Sequence, residues 1–335
     1  MNRTSKKLAA CALSVVALVW AAYGCGARVT TGSSGGAQPL MGVTLSWGGQ
    51  NGALPHAADP GVDGFSGQRA YDQVVKQVSF GPRPPGSDAI HKLQDYILAE
   101  LRSSGCQTDV DDFHASTPKG TVAMKNIVAK IPGVSSNIIL LGTHYDTKLM
   151  PNFVGANDAG SSTGVMLEIA RVLCKKPLPA TVWIAFFDGE EAFNQQWQDP
   201  DNTYGSREMA AKLALSGELS HVKAMVLADM VGIANLHIKR EGNSTPWLVD
   251  ILWHNAAKLG YGSVFVNESS PTEDDHLSFL HRNVPSADII DLETPQTENT
   301  WHTTADVLSI VHPQPLQIVG DVILASLPDI AHRIH

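Results

Sequence analysis

Three short apolar runs lead within a few residues, and a fourth after about ten, to a side chain that can bind a metal or carry a proton. That repetition restricts the chain to folds whose strands deliver their ends to one place. IILLGTHYD (residues 138–146) ends in His144 and Asp146, and TVWIAFF (181–187) runs into DGEEAF with Glu190 and Glu191. AMVLADMV (224–231) carries Asp229, and ADIIDL (287–292) is followed by Trp301-His302-Thr303. Runs this short, rich in β-branched and aromatic residues, read as buried strands. GANDAG (155–160) places Asp158 just ahead of Val165, Ile169 and Val172, an apolar series at helical spacing.

In an open, largely parallel α/β sheet, the loops beyond the carboxyl ends of the strands converge on one crevice. His144, Asp158, Glu191, Asp229 and His302 can therefore meet although they are far apart in the chain. Two adjacent glutamates repel unless a cation holds one of them, so Glu191 is expected on a metal with Glu190 free to move protons. Imidazole and carboxylate donors in these numbers suit zinc, whereas calcium takes more oxygens. A thiolate site is excluded, because Cys11, Cys25, Cys106 and Cys174 form no C-x-x-C pair.

The remaining organisation follows from periodicity and composition. Tyr71, Val74, Val75 and Val78 share one helical face, as do Ile90, Leu93, Ile97 and Leu101, so two helices are expected ahead of a first strand at residues 122–131. Further helices are expected at 207–215, 247–259 and 315–330, alternating with the strands in α/β order. His254 and His276 read as structural.

The start of the chain looks like a targeting segment. Positive charge at Arg3, Lys6 and Lys7 precedes an apolar stretch, residues 8–22, that is short and rich in small residues. Residues 1–25 are therefore expected to direct export to the periplasm or beyond. Cys25 follows a small residue, which fits lipoprotein processing and a lipid anchor as well as plain cleavage nearby. Residues 26–66 read as a Gly/Ser/Pro-rich lead-in and 67–335 as a single catalytic domain. Cys106 and Cys174 remain in that domain, and pairing them needs Cα atoms within about 7 Å. A net charge of −9 with no basic stripe argues against a nucleic-acid surface, and a monomer is expected.

Seven segments, HYDTK (144–148), FVGANDAG (153–160), FFDGEEAF (186–193), YGSREMA (204–210), ADMVG (228–232), DDH (274–276) and WHT (301–303), together resemble the glutaminyl-peptide cyclotransferases, or glutaminyl cyclases. The resemblance runs from about Phe80, through GPRPPGS, to the end of the chain. It implies a three-layer α/β sandwich with a central mixed, mostly parallel sheet and helices on both faces, the fold these enzymes share with di-zinc aminopeptidases. The cyclase pattern implies one zinc ion on Asp158, Glu191 and His302, Glu190 as proton shuttle supported by Asp229 and Asp274, and Trp197 and Trp301 flanking a peptide's N-terminal glutamine. The aminopeptidase pattern implies a second zinc on His144 and Asp229, with Asp158 bridging and Asp146 orienting His144. The segment with Trp197, Asp201 and Tyr204 to Arg207, and DDH, follow the cyclases. Two positions depart from them. Thr297 stands about where many cyclases place a pocket phenylalanine, implying a more polar wall, and Glu273 replaces a glutamine.

Overall fold

The computed structural model describes residues 54–335. The expected leader, Cys25 and most of the lead-in lie outside the described residues. Residues 54–66 pack on the domain: Phe65 is buried and the Val62 N–H donates to Asp321 at 2.7 Å.

Two helices come first, α1 (Gly67–Val78) and α2 (Asp88–Ser103), started by Ser66 and Ser87, whose hydroxyls accept the Arg69 and Ile90 N–H groups. Each cap satisfies a donor that the first helical turn leaves free. Ile90, Leu93, Ile97 and Leu101 of α2 are all buried, as their spacing predicts, contributing roughly 1.5–3 kcal/mol each as an upper bound. In α1 the inward stripe is Ala70, Val74 and Gln77, and Val75 turns outward at 39% exposure.

A hairpin of β1 (Gln107–Thr117) and β2 (Gly120–Ile131) follows, then β3 (Gly133–His144), α3 (Gly160–Leu173), β4 (Leu178–Phe187), α4 (Tyr204–Ser216) and β5 (Val222–Asp229). The rest is β6 (Ile238–Glu241), α5 (Pro246–Lys258), β7 (Phe265–Ser270), α6 (His276–Leu280), β8 (Ser286–Ile290), α7 (Pro295–Thr300) and α8 (Pro313–Arg333). The six-stranded sheet runs β1-β2-β4-β3-β5-β8. The pairs β4–β3, β3–β5 and β5–β8 are parallel, and β1–β2 and β2–β4 are antiparallel.

Alternate residues of the central strands feed two cores. Ile139, Leu141, Val182, Ile184 and Val226 pack under α1, α3, α5 and α8, while Leu140, Trp183, Phe187 and Leu227 pack under α4 and α6. That period-two division makes the three layers. The first strand is β1, fifteen residues before the expected one starts. Its sequence, QTDVDDFHAST, hides little apolar surface because it forms a sheet edge, and only Phe113 and Ala115 are buried. Cys106 and Cys174 form a disulfide with Cα atoms 5.1 Å apart, tying the approach to β1 to the end of α3. Among the described residues no helix is long and apolar enough to cross a membrane.

Candidate metal and active site

His144 and Asp229 are the last residues of the parallel neighbours β3 and β5, so the topology alone sets them side by side. Glu190 and Glu191 follow β4 through a turn at Gly189, whose φ of +71° favours glycine and where a Cβ would press on the end of the Met124 side chain. Asp146 pins that turn: its carboxylate accepts the Glu190 N–H at 3.1 Å and the Glu191 N–H at 3.3 Å. It also faces His144 Nδ1 at 3.4 Å, orienting the ring so that Nε2 points into the site.

Asp158 lies on the loop leading into α3, and three groups absent from the sequence reading as functional residues hold that loop. The fully buried Arg83 donates to the carbonyls of Gly81, Val154 and Gly155 at 3.0, 2.7 and 3.1 Å. Burial lowers its pKa to about 10. Gly155 sits at φ +48°, where a side chain would collide with the Asp158 carbonyl. Asp306, four residues past His302, accepts the Asn157 N–H at 2.7 Å and the Asp158 N–H at 3.0 Å. One carboxylate thereby sets the Asp158 loop against the His302 loop. His302 has φ +49° and is flanked by Trp301, stacked at 4.3 Å, and by the edge of Phe153 at 6.1 Å.

The five candidate ligands form two overlapping triads, His144–Asp158–Asp229 and Asp158–Glu191–His302, with ligand atoms within 4.8 Å of one another in each. His144 Nε2 lies 3.3 Å from Asp158 and 3.2 Å from Asp229. His302 Nε2 lies 3.5 Å from Asp158 and 3.2 Å from Glu191. Lys148, buried, approaches Glu191 at 3.4 Å and donates to the Ala192 carbonyl at 3.1 Å.

Burial, with Glu191 and Asp229 nearby, raises the Asp158 pKa to about 6, and burial followed by the Asp229 charge pushes Asp274 well above the carboxylate range. Glu190 is also pushed well up by burial, opposed by His144 and reinforced by Asp274 and Glu191. Glu191 goes the other way, to about 2: burial would raise it, but His302 and Lys148 outweigh that. Buried His144 Nε2, Asp229 Oδ1 and Glu191 Oε1 have no hydrogen-bond partner. Crowded carboxylates and unpartnered inward-facing nitrogen and oxygen atoms are what a site for a nitrogen- and oxygen-liganded cation requires, so the residues fit zinc.

Above the triads opens a cleft of about 550 Å³, lined among others by Glu190, Asp274, Trp197, Trp301 and His302. All the expected site residues are thus in or directly beneath one cleft. Thr297 is not on its wall. That side chain is buried and bonded to Thr294, the residue capping α7, and the apolar wall comes from Ile290, Leu292 and Met230. Thr297 therefore adds no polar group to that wall, whereas Glu273, the other departure, lines the cleft beside Asn243 and Thr272. His276 is buried, with Nε2 3.2 Å from Glu241 and Nδ1 3.7 Å from Asp288, outside the cleft lining.

Asp306→Ala is expected to weaken metal retention roughly 10–100-fold, as loss of groups that orient ligands does, and to cost about 1–3 kcal/mol for two buried N–H groups left without an acceptor. Zinc content after chelator dialysis, with Tm alongside, checks both.

Residues 126–327 match Peptidase family M28. A glutaminyl-peptide cyclotransferase of Drosophila melanogaster is 32% identical, over 69% of this chain and 72% of the relative. The crystal structure of an Acidobacteriales bacterium glutaminyl cyclase superposes with TM-score 0.76 at 36% identity, covering 85% of this chain and 99% of that one. A Zn-dependent exopeptidase from Parabacteroides distasonis superposes with TM-score 0.70 at 28% identity, covering 78% and 97%. The mixed sheet, the candidate ligands at the strand ends and these likenesses agree, and the chain belongs to peptidase family M28, among its glutaminyl-peptide cyclotransferases.

Proposed function

We propose that this chain is an exported, zinc-dependent glutaminyl-peptide cyclotransferase that converts the N-terminal glutamine of peptides to pyroglutamate with release of ammonia. The observation that carries this reading is the cleft itself: Trp197, Trp301 and Asp274 line the same space as Glu190 and His302. Asp158, Glu191 and His302 would hold one zinc ion, which supplies Lewis-acid polarisation of the γ-carbonyl. The peptide's own α-nitrogen forms the new bond to the γ-carbonyl carbon, and the bond from that carbon to the side-chain nitrogen breaks. Glu190 takes the proton from the α-nitrogen and passes it to the departing ammonia, with Asp229 and Asp274 supporting it. Trp197 and Trp301 keep the side chain folded back on its amine, which supplies much of the rate in an intramolecular attack. Residues 67–335 are the catalytic domain, acting as a monomer behind a leader at 1–25, with Cys25 as the point of attachment if the leader is processed as a lipoprotein's.

One observation favours a second reading. The triad His144–Asp158–Asp229 offers a second ion the ligands that a di-zinc aminopeptidase uses, with Glu190 then activating water. Parallel assays of Gln-initiated and of Leu- or Ala-initiated peptides separate the two. Faster conversion of the Gln-peptide, with ammonia and no free amino acid, is the expected result, and release of free amino acids alone would replace the cyclase reading with the peptidase one.

A further inference from the structure

The rim of the cleft holds a charge that the reaction does not use. Glu190, Asp229 and Asp274 at the floor are buried, whereas Trp301, Asn243 and Glu273 stand exposed around the opening. A peptide whose first residue reaches Glu190 and His302 must lead its following residues out across that rim. Glu273 is the charged group it meets there, and no lysine or arginine lines the cleft. The Glu273 carboxylate accepts the Trp197 indole N–H at 3.2 Å, so the negative charge is held in a defined place instead of ranging over the surface. The nearby lysine and arginines lie outside the cleft lining. Lys239 of β6 is shared between Glu268 and Glu293 at 3.1 and 2.6 Å. Arg207 and Arg282 lie in a separate recess beside Trp197 and Glu273, donating to the carbonyls of Asn202 at 2.6 Å and Ser278 at 2.8 Å.

We propose, building on the cyclase reading, that Glu273 makes the enzyme select its substrate by the residue after glutamine, favouring peptides with lysine or arginine there over peptides with aspartate or glutamate. A cation leaving the cleft passes a fixed carboxylate, and an anion meets the same charge as repulsion. Attraction for one substrate and repulsion for the other together are expected to give roughly five- to tenfold higher kcat/KM for a Gln-Lys peptide than for a Gln-Glu peptide at low ionic strength.

The test measures that ratio in the unsubstituted enzyme and in Glu273→Gln, each at low and high salt. Glutamine still offers an oxygen to the Trp197 N–H, so the variant removes the charge while keeping the contact. The ratio should fall to about twofold or less in the variant, and high salt should lower it in the unsubstituted enzyme, where the charges are screened. Equal kcat/KM for the two peptides in the unsubstituted enzyme at low salt, or an unchanged ratio in Glu273→Gln, would overturn this selectivity and leave the cyclase reading standing. Failure of every Gln-peptide to yield a pyroglutamyl product would remove that reading and the selectivity together.

Discussion

Replacement of Glu190 by glutamine is expected to lower kcat/KM for a Gln-initiated peptide by about 10²–10⁴-fold, the usual contribution of a positioned acid–base group, while bound metal stays in place. The structure explains why the change should be clean. The Glu190 backbone is set by Asp146 through its N–H, and the ligand triads are built from other side chains. Glutamine has the same shape and can hydrogen-bond, but it cannot accept and return a proton. Kinetics beside elemental analysis of the same preparation check the result. Near-normal turnover would show that proton transfer runs elsewhere, with Asp274 on the same cleft wall as the next candidate.

The second large effect concerns the ion. An Asp158→Ala, Glu191→Ala double variant is expected to emerge from purification without zinc and with activity reduced by about 10³-fold or more, since Lewis-acid stabilisation amounts to several kcal/mol and each 1.36 kcal/mol is tenfold in rate. Asp158 belongs to both triads, so its loss strikes both possible ion positions at once. Elemental analysis decides the point, with about one zinc per chain expected in the unsubstituted protein. Zinc retained in the double variant would mean that other groups hold it.

The convergence of the site could be read from the chain because parallel strands buried on both faces leave continuous apolar runs, and their carboxyl ends mark one edge of the sheet. His144 and Asp229 sit at those ends, and Glu190 and Glu191 lie just beyond β4. Outside that rule the sequence was silent or misleading. β1 is a polar edge strand, with Asp111 and Asp109 paired to Lys212 and Lys130 on the outside, so it lacks an apolar signature. Arg83 and Asp306 act by binding backbone groups of a distant loop, which produces no periodicity, although each lies in or next to a segment that carries the family resemblance. The partnership of Cys106 with Cys174 depends on how β1 and α3 pack, which only the three-dimensional arrangement supplies. Thr297 occupies the expected stretch of chain but serves the start of α7, because the local demand for a cap there turns its hydroxyl toward Thr294.

Turnover of a Gln-initiated peptide in heavy-oxygen water tests the intramolecular attack most directly. Every atom of the pyroglutamyl ring comes from the glutamine itself, so the account predicts a product lighter than the substrate by one ammonia and free of heavy oxygen. Heavy oxygen in a glutamyl peptide, or in free glutamine beside a shortened peptide, would show that water is the nucleophile and would contradict it.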